Sequence, residues 1–351
     1  MSCRRREAPM INNLTRLELA ELIRQNADSP AGELTAAARK IRDERYGRRI
    51  FLRGLIELTN YCKNGCYYCG IRAGNAKIRR YRLTKQQILE SCGIGYGLGL
   101  RSFVLQGGED PGLGDKAVCD IIREIRFRYP GCAVTLSLGE KSAESYRAYY
   151  DAGADRYLLR HETADAEHYA ALHPPGLSLQ NRKKCLYMLK NIGFQVGAGF
   201  MVGSPFQTFE NLADDLLFLK DLQPHMVGIG PFIPHVATPF GEFPAGGAGL
   251  TLTMLALTRI MLPDILLPAT TALATINNNG RELGFEAGAN VVMPNLSPIE
   301  VRENYALYNG KLSTGAEAAE GIKILKELIT RADYVPDCLR GDHKDFREDS
   351  L

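Results

Sequence analysis

Short apolar, β-rich runs alternate along this chain with longer stretches of helical periodicity. The runs lie at 50–58, 102–105, 133–138, 156–159, 194–201, 226–229, 265–269 and 290–293. Most are almost continuously apolar, as strands covered on both faces must be. Between them, apolar positions at helical spacing predict helices over 85–97, 117–128, 142–152, 181–191, 209–221 and 252–261. Gly153, Gly193 and Gly288 follow helical stretches just before the next run, where a helix is expected to stop. Ahead of the first run, Leu19, Leu22, Ile23, Leu34, Ala37, Ala38 and Ile41 repeat at helical spacing.

Eight runs, most followed by a helix, predict an α/β fold of the (β/α)8 TIM-barrel type. An open doubly wound sheet is the alternative that periodicity leaves. The expected organisation is an N-terminal helical extension (1–48), a barrel (49–325) and a charged, weakly packed C-terminal tail (326–351). The Gly/Pro-rich stretch at 231–249 reads as a surface excursion.

Composition narrows the function classes. Apolar residues make up 45% and charged residues 24% of 351 positions, which excludes disordered and fibrous classes. No apolar run reaches the roughly 18 residues of a membrane span. Lys plus Arg number 43 against 40 Asp plus Glu, a net charge of +3. That bias is too weak to argue for nucleic acid, and the basic tip Arg4-Arg5-Arg6 is short. Residues 1–10 lack the apolar stretch of a secretory signal, and nine cysteines make an odd disulfide set. A reducing cytoplasm is expected, where clustered cysteines bind metal.

Three cysteines do cluster. Cys62, Cys66 and Cys69 form a C-x3-C-x2-C triplet directly after the first run, hence at the C-terminal mouth of the expected barrel. Thiolates suit zinc or an iron–sulfur centre. A closed zinc site needs four ligands, and the first histidine in the chain is His161. Three thiolates can instead hold three irons of a cubane and leave the fourth iron open. Zinc completed by a distant residue remains the alternative.

The other strand ends carry small, polar or soft side chains, as a reaction chamber requires. Gln106-Gly107-Gly108-Glu109 closes the second run; paired glycines allow close backbone approach, and the carboxylate can accept from an ammonium. Ser137 ends the third run, and Arg160 and Glu162 end the fourth. Arg182 opens the helix that follows and could pair with a carboxylate. Thr270 and Thr271 end the seventh run, and Met293 the eighth.

The triplet resembles the signature of the radical S-adenosylmethionine (radical SAM) enzymes, with Tyr68 at the aromatic position before the last cysteine. Gly107-Gly108-Glu109 resembles their "GGE" motif. The stretches at 137–140, 152–163 (AGADRYLLRHET), 226–235 (MVGIGPFIPH), 267–271 (LPATT) and 288–295 (GANVVMPN) are similar to the FeFe-hydrogenase maturase HydE family, and the likeness runs from about residue 12 to 345. It implies a complete barrel. It implies one 4Fe-4S cluster on Cys62, Cys66 and Cys69, its fourth iron bound by SAM, and cleavage of SAM to a 5′-deoxyadenosyl radical. SAM contacts would come from Tyr68, Gln106, Gly107, Gly108, Glu109, Ser137, Arg160, Glu162 and Arg182. Arg53, Met226, Thr270, Thr271, Met293 and Tyr308 would line a substrate cavity.

The family acts in assembly of the diiron site of FeFe hydrogenase. Its implied substrate is a small organometallic, a cysteine-ligated Fe(CO)2CN unit. Implied partners are a flavodoxin- or ferredoxin-type electron donor and the other hydrogenase maturases, with no nucleic acid and no membrane. An oxygen-sensitive monomer is expected. Two departures stand out. No cysteine lies in 311–322, where some members carry a second cluster triplet, and Gly107 stands where Ser is common. Two other functions stay open. A methylornithine-synthase-like mutase would also need one cluster and could act on an amino-acid-derived substrate. A non-catalytic iron–sulfur scaffold would keep the triplet without needing Glu162 or Arg182.

Overall fold

The computed structural model describes residues 8–312 and 317–346. Its core is a parallel sheet, covered by helices because each strand is apolar on both faces. The strands are β1 (Arg49–Leu52), β2 (Gly54–Thr59), β3 (Ser102–Gly107), β4 (Ala133–Ser137), β5 (Arg156–Leu158), β6 (Gln195–Val202), β7 (Met226–Pro231), β8 (Val291–Val292) and β9 (Val335–Asp337). An unbroken parallel ladder runs β2-β3-β4-β5-β6-β7.

Backbone hydrogen bonds carry the ladder on round a ring. The Val227 amide donates to the Leu266 carbonyl (3.1 Å), and the Ala269 amide to the Val291 carbonyl (2.9 Å). The Phe51, Arg53 and Leu55 amides donate to Asn290, Val292 and Pro294 at 2.9, 3.0 and 2.8 Å. These bonds give eight staves and set aside the open sheet. The seventh stave is thinner than its apolar run suggests. It is held by bridges at Leu266 and Pro268 rather than a full strand, since Pro268 has no amide to donate. The first run divides at Arg53, where the chain changes neighbour from β9 to β3.

Register decides which side chains meet inside. Glu57, Gln106 and Ser137 are aligned across β2, β3 and β4, so they share one layer near the C-terminal end. The helices Arg16–Gln25 and Gly32–Tyr46 pack on the barrel helices Phe209–Leu222 and Ala248–Met261. Among the described residues no helix is long and apolar enough to cross a membrane.

Two segments differ from expectation. The 231–249 stretch is not a surface excursion: Phe232 and Phe240 are buried with Leu172 and Met201, and Tyr67 and Tyr68 pack on them. The 326–351 stretch is not a loose tail as far as it is described. Its start at 326 falls inside the helix Ala318–Arg331, and β9 then pairs with β1. Residues 340–343 cover the barrel base. Arg340 pairs with Asp155 (2.8 Å), Arg156 with Asp342 (2.5 Å), and the Gln195 amide donates to Asp342 (2.7 Å). A charged sequence reads as solvated when its partners lie on distant staves.

This base has a pH signature. Burial alone would raise the Asp342 carboxyl, but Arg156, Gln195 and Arg340 outweigh it and hold it down at about 2. A depressed carboxyl contributes stability above its unfolded value and loses it as pH falls through the folded one. Asp342 therefore supplies roughly 2 kcal/mol that disappears between about pH 4 and pH 2. Hydrogen exchange should show 335–346 deprotecting in that window before the β2–β7 core. Asp342→Asn should show the deprotection already at neutral pH.

Candidate active site

The cysteine loop, 60–83, leaves the top of β2 and returns to it. Arg80 staples it from within, donating to the carbonyls of Asn60, Ile71 (2.8 Å), Arg72 (2.7 Å) and Asn75 (3.2 Å). Asn60 adds bonds to the Arg79 carbonyl (2.8 Å) and the Asn304 carbonyl (2.6 Å). Cys62, Cys66 and Cys69 are half-buried free thiols; Cys62 and Cys69 line a chamber of about 320 Å³ at the barrel mouth. Burial, with Cys62 beside it, pushes the Cys66 thiol up to about 12, and burial also raises Cys62 and Cys69. Such thiols stay protonated at neutral pH unless a cation replaces the protons, as a metal centre does.

Tyr68 is fixed by His173. The Nδ1 of His173 donates to the Tyr169 carbonyl (2.8 Å), so Nε2 is left to accept from the Tyr68 hydroxyl (3.2 Å). Burial holds this histidine down at about 4, hence neutral.

The Gln106–Asp110 turn packs directly on the cysteine loop. The Lys63 amide donates to the Glu109 carbonyl (2.9 Å), and a Cβ on Gly108 would sit 2.2 Å from the Tyr61 carbonyl oxygen and 2.7 Å from the Cys62 Cβ. Gly108 therefore serves the approach of two loops to each other. Gly108→Ala should push the loops apart at a cost of about 1–3 kcal/mol, the range for overpacking. Reconstituted variant protein should retain less iron than wild type; unchanged iron content would refute this role. Asp110 anchors the same turn: it accepts from Arg82 (2.6 and 2.8 Å) and from Thr59 (2.8 Å).

Across the chamber stands Arg182, early in the helix Leu179–Ile192 and buried. Its guanidinium lies 2.8 Å from Glu140 and 3.9 Å from Glu109. Burial works against this charge, but Tyr169, Glu140 and Glu109 outweigh it and raise its pKa. Glu109 also accepts from the Glu140 amide (3.0 Å). Arg160 and Glu162 approach to 3.2 Å, yet neither Arg160 Nη2 nor Glu162 Oε2 has an aligned hydrogen-bond partner among the described residues. Glu162 holds a left-handed backbone (φ 68°) between two bonds to the β6 edge, from its amide to Gly199 (3.0 Å) and from the Met201 amide (3.1 Å). Such strain persists where the surroundings over-determine it. Behind it, fully buried His161 faces Asp215 at 3.1 Å.

The chamber thus brings together Cys62, Cys69, Tyr68, Gln106, Gly107, Gly108, Glu109, Ser137, Arg160, Glu162, Arg182, Thr270 and Tyr308. Other expected residues lie elsewhere. Arg53 and Met226 sit lower in the barrel and bond each other (3.0 Å) beside a void of about 10 Å³. Met293 packs on the cluster around them, and Thr271 begins the short helix Thr271–Ile276 rather than lining the chamber. Sequence reading missed Tyr305, a buried chamber residue whose hydroxyl accepts from Gln106 (3.3 Å). It arrives on a strap, 303–311, that crosses the mouth without any periodicity to mark it. The Gly70 amide ties that strap to the cysteine loop through the Leu307 carbonyl (2.8 Å).

Residues 56–219, which carry the triplet, the turn and the 160–162 corner, match the radical SAM superfamily model. The [FeFe] hydrogenase maturase subunit HydE of Thermotoga maritima is 47% identical over 315 residues, 90% of each chain. The chain belongs to the HydE family of radical SAM enzymes. Members of the superfamily use a 4Fe-4S cluster and SAM, and three free thiols on one stapled loop, beside unsatisfied charged groups, fit both. 3-Methylornithine synthase of Methanosarcina barkeri is 30% identical over 85% of this chain and 84% of its own. The crystal structure of methylornithine synthase superposes with a TM-score of 0.82 at 26% identity, covering 94% of this chain and 97% of that one. The maturase HydG of Carboxydothermus hydrogenoformans shares the fold, with a TM-score of 0.75 at 20% identity over 94% of this chain and 78% of its own.

Proposed function

We propose that this enzyme acts in maturation of the diiron site of FeFe hydrogenase, on a small anionic, sulfur-containing iron complex such as a cysteine-ligated Fe(CO)2CN unit. The carrying observation is one chamber holding the cysteine loop, Arg182 with its carboxylate partners, and the open Arg160–Glu162 pair. Cys62, Cys66 and Cys69 would hold a single 4Fe-4S cluster. Once bound, the cluster supplies one electron that splits a carbon–sulfur bond of SAM. Arg182 holds the SAM carboxylate, Glu109 and the Gly107–Gly108 backbone take its ammonium, and Glu162 accepts from a ribose hydroxyl. Ser137 and Gln106 complete the polar wall, and Tyr68, locked by His173, gives a flat face.

Deeper in the barrel, Gly228 would meet nothing nearer than 3.9 Å if it carried a Cβ. That open space is where the substrate lies, beneath Arg160 and beside Thr270 and Tyr308. Arg160, whose Nη2 has no aligned hydrogen-bond partner among the described residues, supplies a guanidinium that a small anion in this space can pair with.

Cell-free activation of FeFe hydrogenase, with and without this protein, tests the proposal. Activation should depend on the protein and on SAM. The methylornithine-synthase reading, favoured by that structural match, predicts instead that 3-methylornithine is formed with no effect on hydrogenase. Anaerobically reconstituted protein should bind about four iron atoms per chain, and markedly more would overturn the single-cluster assignment.

A further inference from the structure

A net charge of +3 conceals a sharp local excess. From residue 58 to residue 89 there is no Asp or Glu, while Lys63, Arg72, Lys77, Arg79, Arg80, Arg82 and Lys85 all fall there. This acid-free segment contains the cysteine loop. The fold sorts its cations into two kinds. Arg72 and Arg80 turn inward and bond loop carbonyls, Arg82 is paired with Asp110, and Lys85 with Glu124 (3.8 Å). Lys63, Lys77 and Arg79 point to solvent. Lys63 follows Cys62 directly and is 56% exposed, with only a 3.5 Å contact to Glu109. Lys77 and Arg79 have no ion pair among the described residues. The strap packed against the loop adds one exposed acid, Glu303.

Unpaired exposed cations contribute little to stability, so their concentration here is not a folding requirement. Position distinguishes this face from the rest of the surface. The exposed cations lie on the same stapled 60–83 loop that carries the three thiols. Electron transfer falls off steeply with distance, so a protein donor must approach by the loop itself.

We propose that the face bearing Lys63, Lys77 and Arg79 is the docking surface for an acidic one-electron carrier protein of the flavodoxin or ferredoxin class. The inference rests on the radical SAM reading and names where its reductant arrives. The carrier, reduced by one electron, is oxidised as it leaves, and the centre held by Cys62, Cys66 and Cys69 is reduced by that electron. Charge complementarity steers the encounter and weakens with salt.

The test uses reconstituted protein and the double variant Lys77→Glu/Arg79→Glu, neither side chain being in the chamber. Calorimetry with oxidised flavodoxin should show Kd weakened about tenfold or more in the variant at low salt, with the difference shrinking in high salt. 5′-Deoxyadenosine formation driven by reduced flavodoxin should fall in parallel, while formation driven by dithionite stays at the wild-type rate. Equal flavodoxin affinity in the two proteins overturns the docking surface. So does binding of a 20-base DNA duplex at least as tightly as flavodoxin, which would make the face a nucleic-acid surface. Absence of 5′-deoxyadenosine with dithionite in wild type would sink the underlying radical SAM reading instead, and the binding measurement would still judge the face.

Discussion

Alanine in place of Cys62 is expected to abolish SAM cleavage completely, an effect that only substitution of Cys66 or Cys69 should equal. Three thiols on one loop are the minimum that hold three irons of a cubane, and two do not suffice. The loop keeps its shape without the cluster, because its bonds come from Arg80 and Asn60 rather than from the cysteines. The variant should therefore fold normally, with a melting temperature close to that of the wild-type apo protein. It should lose the charge-transfer absorbance of the cluster and form no 5′-deoxyadenosine above a protein-free mixture. A Cys62→Ala protein that binds a full complement of iron and cleaves SAM would refute the ligand assignment. Loss of the fold would instead show that the thiols carry structure. Cys66→Ala and Cys69→Ala should match it, whereas Cys92→Ala, on a buried core cysteine, should leave iron content untouched.

Arg182→Ala should have the second largest effect, and of a different kind. The guanidinium is buried against Glu140 and Glu109, so its removal strands two carboxylates at a low-dielectric wall. Breaking a buried pair typically costs about 3–5 kcal/mol. SAM affinity should fall as well, since a charge-assisted bond to a carboxylate contributes about 1.5–3 kcal/mol, roughly ten- to hundredfold in Kd. Cluster absorbance should survive, because among the described residues no hydrogen bond joins this side chain to Cys62, Cys66 or Cys69. Arg182→Lys separates the two contributions. It returns the charge and much of the stability but not the fork, and SAM affinity should recover only in part. SAM binding that is unchanged in Arg182→Ala would remove the residue from the SAM site.

Much of this was legible beforehand, and the particular residues show why. The staves emerge from local composition, since a strand covered on both faces must be apolar throughout. The cysteine triplet is visible because all three ligands lie within eight residues of chain. The placement of Gln106, Ser137 and Arg160 follows from the barrel rule that strand ends meet at one mouth. The depth of Arg53 and Met226 was not legible. Periodicity says which face of a stave a residue occupies, not how far down the barrel it sits, and both lie below the chamber, Arg53 bonded to the Gly341 carbonyl and to Met226.

What the sequence alone determined is the kind of centre and the kind of scaffold: three thiols spaced for a cluster, at the end of the first of eight apolar runs. What only the tertiary structure decided is which charges are silent and which are available. Arg80, Arg82 and Asp342 are absorbed by loop carbonyls, Asp110 and Arg156, whereas Lys77 and Arg79 have no ion pair among the described residues. The tail became the barrel base and Tyr305 entered the chamber for the same reason. Spacing along a chain encodes neighbours within a few residues, but a partner hundreds of positions away is fixed only when the ring of staves closes and brings the two into contact.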